Sequence, residues 1–149
     1  MTAIGTDVIV QVGIVVADLE AASQHYAAVF GLPLPPIAET RPREETGITY
    51  RGKPTEARAR LAFFRMGQVA IELIEPMDGP STWRDHLEAH GPGVHHIAFQ
   101  VPSMDQALAH LTEHRIEVVQ QASFRSGRYA YLDSREALSV MLELLEIRS

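Results

Sequence analysis

Gln11-Val12-Gly13-Ile14-Val15-Val16 and His96-Ile97-Ala98-Phe99-Gln100-Val101 are two copies of one pattern, and this pair decides the fold. Shifted by 85 residues, the first lies over the second without a gap, and the match continues: Leu19 falls on Met104, Ala22 on Ala107 and Tyr26 on Leu111. Self-similarity at one long offset marks a duplicated structural unit. Each copy reads as a strand, a turn and a helix. Asp18 and Ser103 stand where an N-cap side chain answers the free amides of a first helical turn, and Ser103 with Gln106 has capping-box spacing. Met104, Ala107, Leu108 and Leu111 recur at helical spacing and predict one buried stripe, while Gly31 predicts the end of the first helix.

Strands follow each helix. Arg60–Met66 and Val69–Glu75 are apolar runs around Gly67-Gln68, the composition of a tight hairpin. Ile116–Gln120 predicts another strand, and Arg128–Asp133 with Ser139–Glu146 forms a similar pair around Ser134-Arg135-Glu136. The expectation is an α+β fold in one domain, residues 1–149, made of two βαβββ modules (about 8–76 and 93–147) whose sheets curve around a cleft. Ser81–His90 reads as a linking helix ended by Gly91. Residues 38–58 are polar, with Pro42, Gly47, Gly52 and Pro54, and read as a long loop or ragged edge strand; loops of this length often act as lids.

Composition narrows the class. The 149 residues are 46% hydrophobic and 21% charged, the balance of an ordinary globular chain rather than a disordered one. There is no cysteine, which excludes a disulfide framework, a thiolate metal site and a Cys nucleophile. Thirteen Lys and Arg against nineteen Asp and Glu give a net charge of −6, which argues against nucleic acid as a partner. No apolar run approaches the length of a membrane span, and residues 1–7 lack the basic and apolar regions of a signal peptide, so a cytoplasmic protein with no membrane partner is expected.

Four polar residues interrupt strands that otherwise read as buried: Gln11, Glu72, His96 and Glu143. Alternation puts Glu72 on the side of Ala70 and Ile74, and Glu143 on the side of Met141 and Leu145. A buried, unpaired carboxylate costs on the order of several kcal/mol unless it is paired or binds a metal. Two carboxylates, an imidazole and an amide form an N/O donor set for a divalent cation. Gln11 and His96 coincide under the repeat, and each Glu lies on the last strand of its module, so a pseudo-twofold axis would bring all four together. A glutamate that faces solvent from an open sheet is the simpler alternative for any one of them.

The stretches Val12-Gly13-Ile14-Val15-Val16, Ile71-Glu72-Leu73-Ile74-Glu75-Pro76, Gly93-Val94-His95-His96-Ile97-Ala98-Phe99 and Leu142-Glu143-Leu144 carry a resemblance over nearly the whole chain. The sequence resembles the vicinal oxygen chelate superfamily: glyoxalase I, bleomycin resistance proteins, extradiol dioxygenases and methylmalonyl-CoA epimerase. The resemblance implies metal ligation by Gln11, Glu72, His96 and Glu143, with Zn, Co, Ni or Mn as the divalent ion and Glu143 as both ligand and base. The run from Glu72 through Ser81 to His96 looks most like the epimerases, where the first ligand is usually His rather than Gln. Glu45-Thr46-Gly47 matches the epimerases' Glu before a glycine after the first helix, which makes Glu45 a candidate second acid/base; Glu44 and Glu45 otherwise read as solvated loop charges.

The ligand order Gln, Glu, His, Glu is that of zinc-type glyoxalase I, but Val15, Pro76 and Pro92 stand where glyoxalases place their glutathione contacts. With Gln in place of the first His, dioxygenase iron chemistry is disfavoured. The implied function is proton transfer next to a chelated carbonyl, on an acyl-CoA or related carbonyl acid. The alternatives are a glyoxalase-like lyase and a metal-free binding protein of the bleomycin-resistance kind. A homodimer is expected, with ligands from one chain or shared between two. His95 reads as pointing away from His96; His25, His86, His90, His110 and His114 read as helix-surface residues, Trp83 and Tyr26 as core, and Arg125–Arg128 as a basic turn able to touch an anion.

Overall fold

The computed structural model describes residues 3–148. In chain order the elements are β1 (Ile9–Val15), α1 (Leu19–Phe30), β2 (Ala38–Glu39), α2 (Arg43–Thr46), β3 (Thr49–Tyr50), β4 (Lys53–Pro54), β5 (Ala59–Met66) and β6 (Val69–Pro76), then α3 (Thr82–His90), β7 (Gly93–Gln100), α4 (Met104–Glu113), β8 (Val118–Phe124), β9 (Gly127–Leu132), α5 (Arg135–Leu138) and β10 (Met141–Ile147). All ten strands join one curved sheet in the order β2-β5-β6-β1-β7-β10-β9-β8-β3-β4. The centre is the antiparallel pair β1·β7, and each is flanked by the last strand of its own module in parallel, β6 beside β1 and β10 beside β7. This is the two-module α+β architecture expected from the repeat.

The caps work as predicted. Asp18 accepts from Ala21 N and Ser103 from Gln106 N, and Gly31 ends α1 in the left-handed conformation at φ 65°. α1 and α4 pack on the outer face of the sheet. Leu19 with Leu73 and Phe64 forms one core; Met104, Ala107 and Leu111 with Leu132 and Leu144 form its counterpart. Matching ion pairs pin the helices. Glu75 accepts from Leu19 N and is paired with Arg60, while Glu146 accepts from Met104 N and is paired with Arg128, each N–H to carboxylate distance being 2.8 Å. A carboxylate at a helix N-terminus is favoured by the free amides and the helix dipole.

Three local expectations are corrected. The strand expected at 116–120 starts at Val118, because Ile116 plugs the core beneath α4 and Arg115 takes a positive φ of 62° at the helix end. The strand expected from Ser139 starts at Met141, because residues 135–138 close one helical turn that ends at Ser139 with φ 64°. Ser134 Oγ ties that turn, donating to Val140 O and accepting from Leu142 N. Arg128 lies in β9, as the strand expected from 128 has it, but it is not open to an anion: its guanidinium is engaged by Glu146 and Asp105.

Residues 38–58 form a strap rather than a loose loop. β2 lies on the β5 edge of the first module, but β3 crosses to pair with β8 at the far edge of the second, Thr49 opposite Gln121 and Tyr50 opposite Gln120. Ile48 and Ala57 are buried in the core on the inner face of the sheet. Burying Ile48 contributes about 1.5–3 kcal/mol, more than a ladder hydrogen bond at about 1 kcal/mol, so packing anchors the strap more than its two-residue strands do.

Candidate metal centre

Two rows of residues cross the four central strands. One reads Glu72, Gly13, His96, Met141 from β6 to β10; the other reads Ala70, Gln11, Ala98, Glu143. In each row a carboxylate and a second candidate ligand stand two strands apart, roughly 9–10 Å at the usual strand spacing. The residue between them is glycine or alanine, so the longer side chains converge over it on the inner face. A Cβ at residue 13 would overlap the His96 ring. The pseudo-twofold axis thus brings the four residues to one place, and all four come from a single chain.

His96 Nε2 lies 3.1 Å from Glu143 Oε1 and 3.5 Å from Glu72 Oε1. The Gln11 amide stands 3.1 Å from the same nitrogen; with its NH2 turned inward it donates to Glu143 at 2.9 Å and to Glu72 at 3.2 Å. Glu72, His96 and Glu143 are 7%, 0% and 4% exposed. Their ligand atoms lie within 4.8 Å of one another. Burial, with the charge of Glu143 beside it, pushes the Glu72 carboxyl up to about 8, against the pull of His96. Burial also works against a charged His96, but the charge and hydrogen bond of Glu143, with Glu72 behind, more than offset it and hold the imidazole above its ordinary value. Two buried carboxylates facing one imidazole repel each other unless a proton or a cation lies between them. The donor set, oxygen and imidazole nitrogen without sulfur, fits a divalent ion such as Zn, Co, Ni or Mn. Gln11 joins that set with its amide oxygen turned inward.

Gln11, Glu72 and Glu143 lie on the wall of a cavity of about 410 Å³, and His96, fully buried, stands behind them. Most of its lining is apolar, including Ile48, Leu61, Phe63 and Leu145, and Thr40, Arg41 and Thr46 come from the strap. Trp83 Nε1 donates to Tyr131 Oη at 3.0 Å, which makes the Trp83 expected in the core part of the wall as well. Burial, with the two carboxylates near, keeps the Tyr131 phenol protonated well above its usual range.

Strand alternation predicts His95 on the outer face, and the structure corrects this. Gly13 is opposite His96 but Ile14 is opposite Val94, so His95 is the extra residue of a β-bulge. The bulge turns both imidazoles inward, with His95 Nδ1 2.8 Å from His96 Nδ1 and His95 Nε2 3.1 Å from Thr82 Oγ1. Thr82 contacts Gln120 Oε1 through both its N–H, 2.8 Å, and its hydroxyl, 3.1 Å, and Gln120 Nε2 reaches Tyr129 Oη at 3.1 Å. Burial, with His96 and His86 beside it, holds His95 well below the ordinary histidine range and therefore neutral. Thr82 and Gln120 escaped the sequence reading; the signals available were two adjacent histidines in an apolar strand and a Ser-Thr pair at a helix start. His86 is also not a surface residue: it is 8% exposed and packs against His95 and His90.

Glu45 is not brought to the other four. It lies on α2, side chain 49% exposed, its carboxylate 3.0 Å from Arg41 Nε, and it does not line the cavity. Arg128, the candidate anion contact, is occupied by its helix-pinning pairs. Among the described residues no helix is long and apolar enough to cross a membrane.

Comparison with known proteins agrees with this architecture. The uncharacterized protein YqjC of Bacillus subtilis (strain 168) is 28% identical over 138 residues, 91% of this chain and 89% of that protein. The methylmalonyl-CoA epimerase of Mycobacterium tuberculosis superposes with a TM-score of 0.71 at 24% identity, covering 100% of this chain and 93% of that one. The Streptomyces coelicolor methylmalonyl-CoA epimerase in complex with 2-nitronate-propionyl-CoA gives 0.65 at 22% identity over 95% and 97%. At those identities the likeness is one of fold. The family model that matches residues 10–131 agrees with the paired modules, and the chain belongs to the glyoxalase/bleomycin resistance protein/dioxygenase superfamily.

Proposed function

We propose that this protein is a metal-dependent isomerase of the methylmalonyl-CoA epimerase type, moving a proton at the carbon next to a chelated carbonyl. The observation that carries the reading is the pair of buried carboxylates, Glu72 and Glu143, related by the pseudo-twofold axis and facing His96 at the wall of an apolar cavity. Gln11, Glu72, His96 and Glu143 would hold the divalent cation, which when bound would supply Lewis-acid polarisation of the carbonyl. Glu143 takes the proton from one face of the α-carbon. With Glu45 turned outward to Arg41, Glu72 is the group placed to return a proton on the opposite face. The apolar walls keep water from the reacting carbon and strengthen the charge interactions there.

The cavity, at about 410 Å³, is near the small end for ligand pockets. It suits a short acyl head with a carbonyl and a neighbouring carboxylate, such as a 2-methylmalonyl thioester, and leaves a coenzyme A nucleotide outside. The test combines two measurements. Metal analysis of protein purified without chelator should find a divalent ion whose removal lowers the melting temperature and whose return restores it. The holoenzyme should then exchange the α-proton of a 2-methylmalonyl thioester with solvent deuterium. Absence of both metal and exchange overturns the reading. Rapid turnover of glutathione hemithioacetal without thioester exchange would assign the lyase reaction instead.

A further inference from the structure

We propose that Thr82 and His95 are positioning residues that orient His96, keeping its Nδ1 protonated and committing its Nε2 as the nitrogen that faces the candidate cation. This inference rests on the metal-centre reading above and is a statement about hydrogen-bond direction. A backbone N–H can only donate, so the contact from Thr82 N fixes the Gln120 side-chain atom facing it as the carbonyl oxygen. An amide oxygen can only accept, so the Thr82 hydroxyl donates to it. That hydroxyl has spent its one proton and accepts from His95, which places a proton on His95 Nε2. A neutral imidazole carries one ring proton, so His95 Nδ1 is an acceptor. The group it accepts from is His96 Nδ1, 2.8 Å away, which leaves His96 Nε2 as the nitrogen open to a cation, its proton being the one shared with Glu143 when no cation is bound. That nitrogen is the one directed at Glu72, Glu143 and Gln11.

One amide at the start of α3 therefore decides, through three side chains, which nitrogen of His96 is available to a metal. Metal-bound histidines are commonly oriented by a carboxylate or a backbone carbonyl on the second nitrogen. Here a second imidazole does it, and the β-bulge at His95 is what turns that ring inward. Thr82 is 5% exposed and its side chain hydrogen-bonds to Gln120 and His95 rather than to any of the four candidate ligands, so its substitution separates orientation from direct ligation.

The experiment measures ring-nitrogen chemical shifts in 15N-histidine-labelled protein, metal-free and zinc-loaded, and zinc dissociation constants by competition with a chromophoric chelator. In both states His96 Nδ1 should carry a proton and His95 Nδ1 should be bare. Thr82→Val should weaken zinc about tenfold and His95→Leu about 10- to 100-fold, in the range seen when such supporting partners are removed. Thr82→Ser, which restores the hydroxyl, should bind zinc as the wild type does. A bare His96 Nδ1 beside a protonated His95 Nδ1 overturns the proposal. So does a Thr82→Val protein that melts earlier but binds zinc unchanged. If the wild type binds no zinc, the proposed function falls, while the ring shifts of the metal-free protein still decide the direction of the relay.

Discussion

The two modules match in backbone more closely than in chemistry. Each has a bulge one residue before its first-strand ligand, at Val10 and at His95, and each pins its helix with a Glu three residues beyond the candidate ligand Glu. They part at one pair of positions. His96 lies over Gly13, whereas the equivalent Gln11 lies over Ala98. The His96 ring occupies the space a Cβ at residue 13 would need, while Ala98 keeps its Cβ beneath the slimmer amide. The ligand of one module thus dictates the residue of the other, and neither half of the repeat can vary alone at the site.

The largest test of this near-symmetry replaces the carboxylates singly. Glu143→Gln and Glu72→Gln should each lower turnover of a 2-methylmalonyl thioester by about 10²–10⁴. Each should stop deuterium exchange from one enantiomer while leaving some exchange from the other. Loss from both enantiomers in one variant and from neither in the other would show that only one module supplies a base. Next is the pair Gly13→Ala and Ala98→Gly. The first inserts a Cβ into the His96 ring and should cost about 1–3 kcal/mol in denaturant unfolding, with loss of metal binding; the second should cost about 0.5–1 kcal/mol and spare it. Equal effects would break the comparison.

A smaller effect is expected from pH. The folded Glu72 carboxyl is held near 8, far above the roughly 4.3 of an unfolded glutamate. Folded protein holds that proton more tightly, so the stability it contributes is present at pH 4 and is lost as pH rises toward 8. His96, also raised, loses its contribution in the same direction. Melting temperatures of chelator-treated protein should therefore fall between pH 5 and 8, and the slope should flatten once a divalent ion is returned. A chelated protein that gains stability over that range would contradict the buried-carboxylate account. The smallest effect on turnover is expected of Gln11→His made together with Ala98→Gly, which brings the first module's ligand closer to the second's and clears the space beneath the ring. Both donors are neutral, so turnover should stay within about tenfold, or 1.4 kcal/mol.

The repeat, the caps and the four site residues were legible in the sequence for one physical reason. A carboxylate inside an apolar strand is expensive, and only a shared partner explains two of them at matching places. The His95 orientation was not legible, because a bulge shifts strand parity by one residue and leaves no mark in the apolar pattern. The strap was hidden for another reason: two-residue strands have no periodicity, and β3 finds its partner some 70 residues away in β8. Glu45 illustrates the limit of a local match, since its motif is present but the strap turns it toward Arg41. Arg128 read as a free basic turn because its partners, Asp105 and Glu146, are distant in sequence.

The strap also has a consequence for the order of synthesis. β3 and β4 emerge with the first module, yet the strand that joins β3 to the sheet is β8, which follows three further strands and two helices later. A nascent chain released as far as β6 has every strand of its own module, but Thr49 and Tyr50 have only β4 beside them and not the β8 that joins them to the sheet. Domains tend to fold from the N-terminus as they are made. In this chain the half made first carries a segment that only the half made last can seat in the sheet, so β3 waits for its partner until translation has passed Phe124.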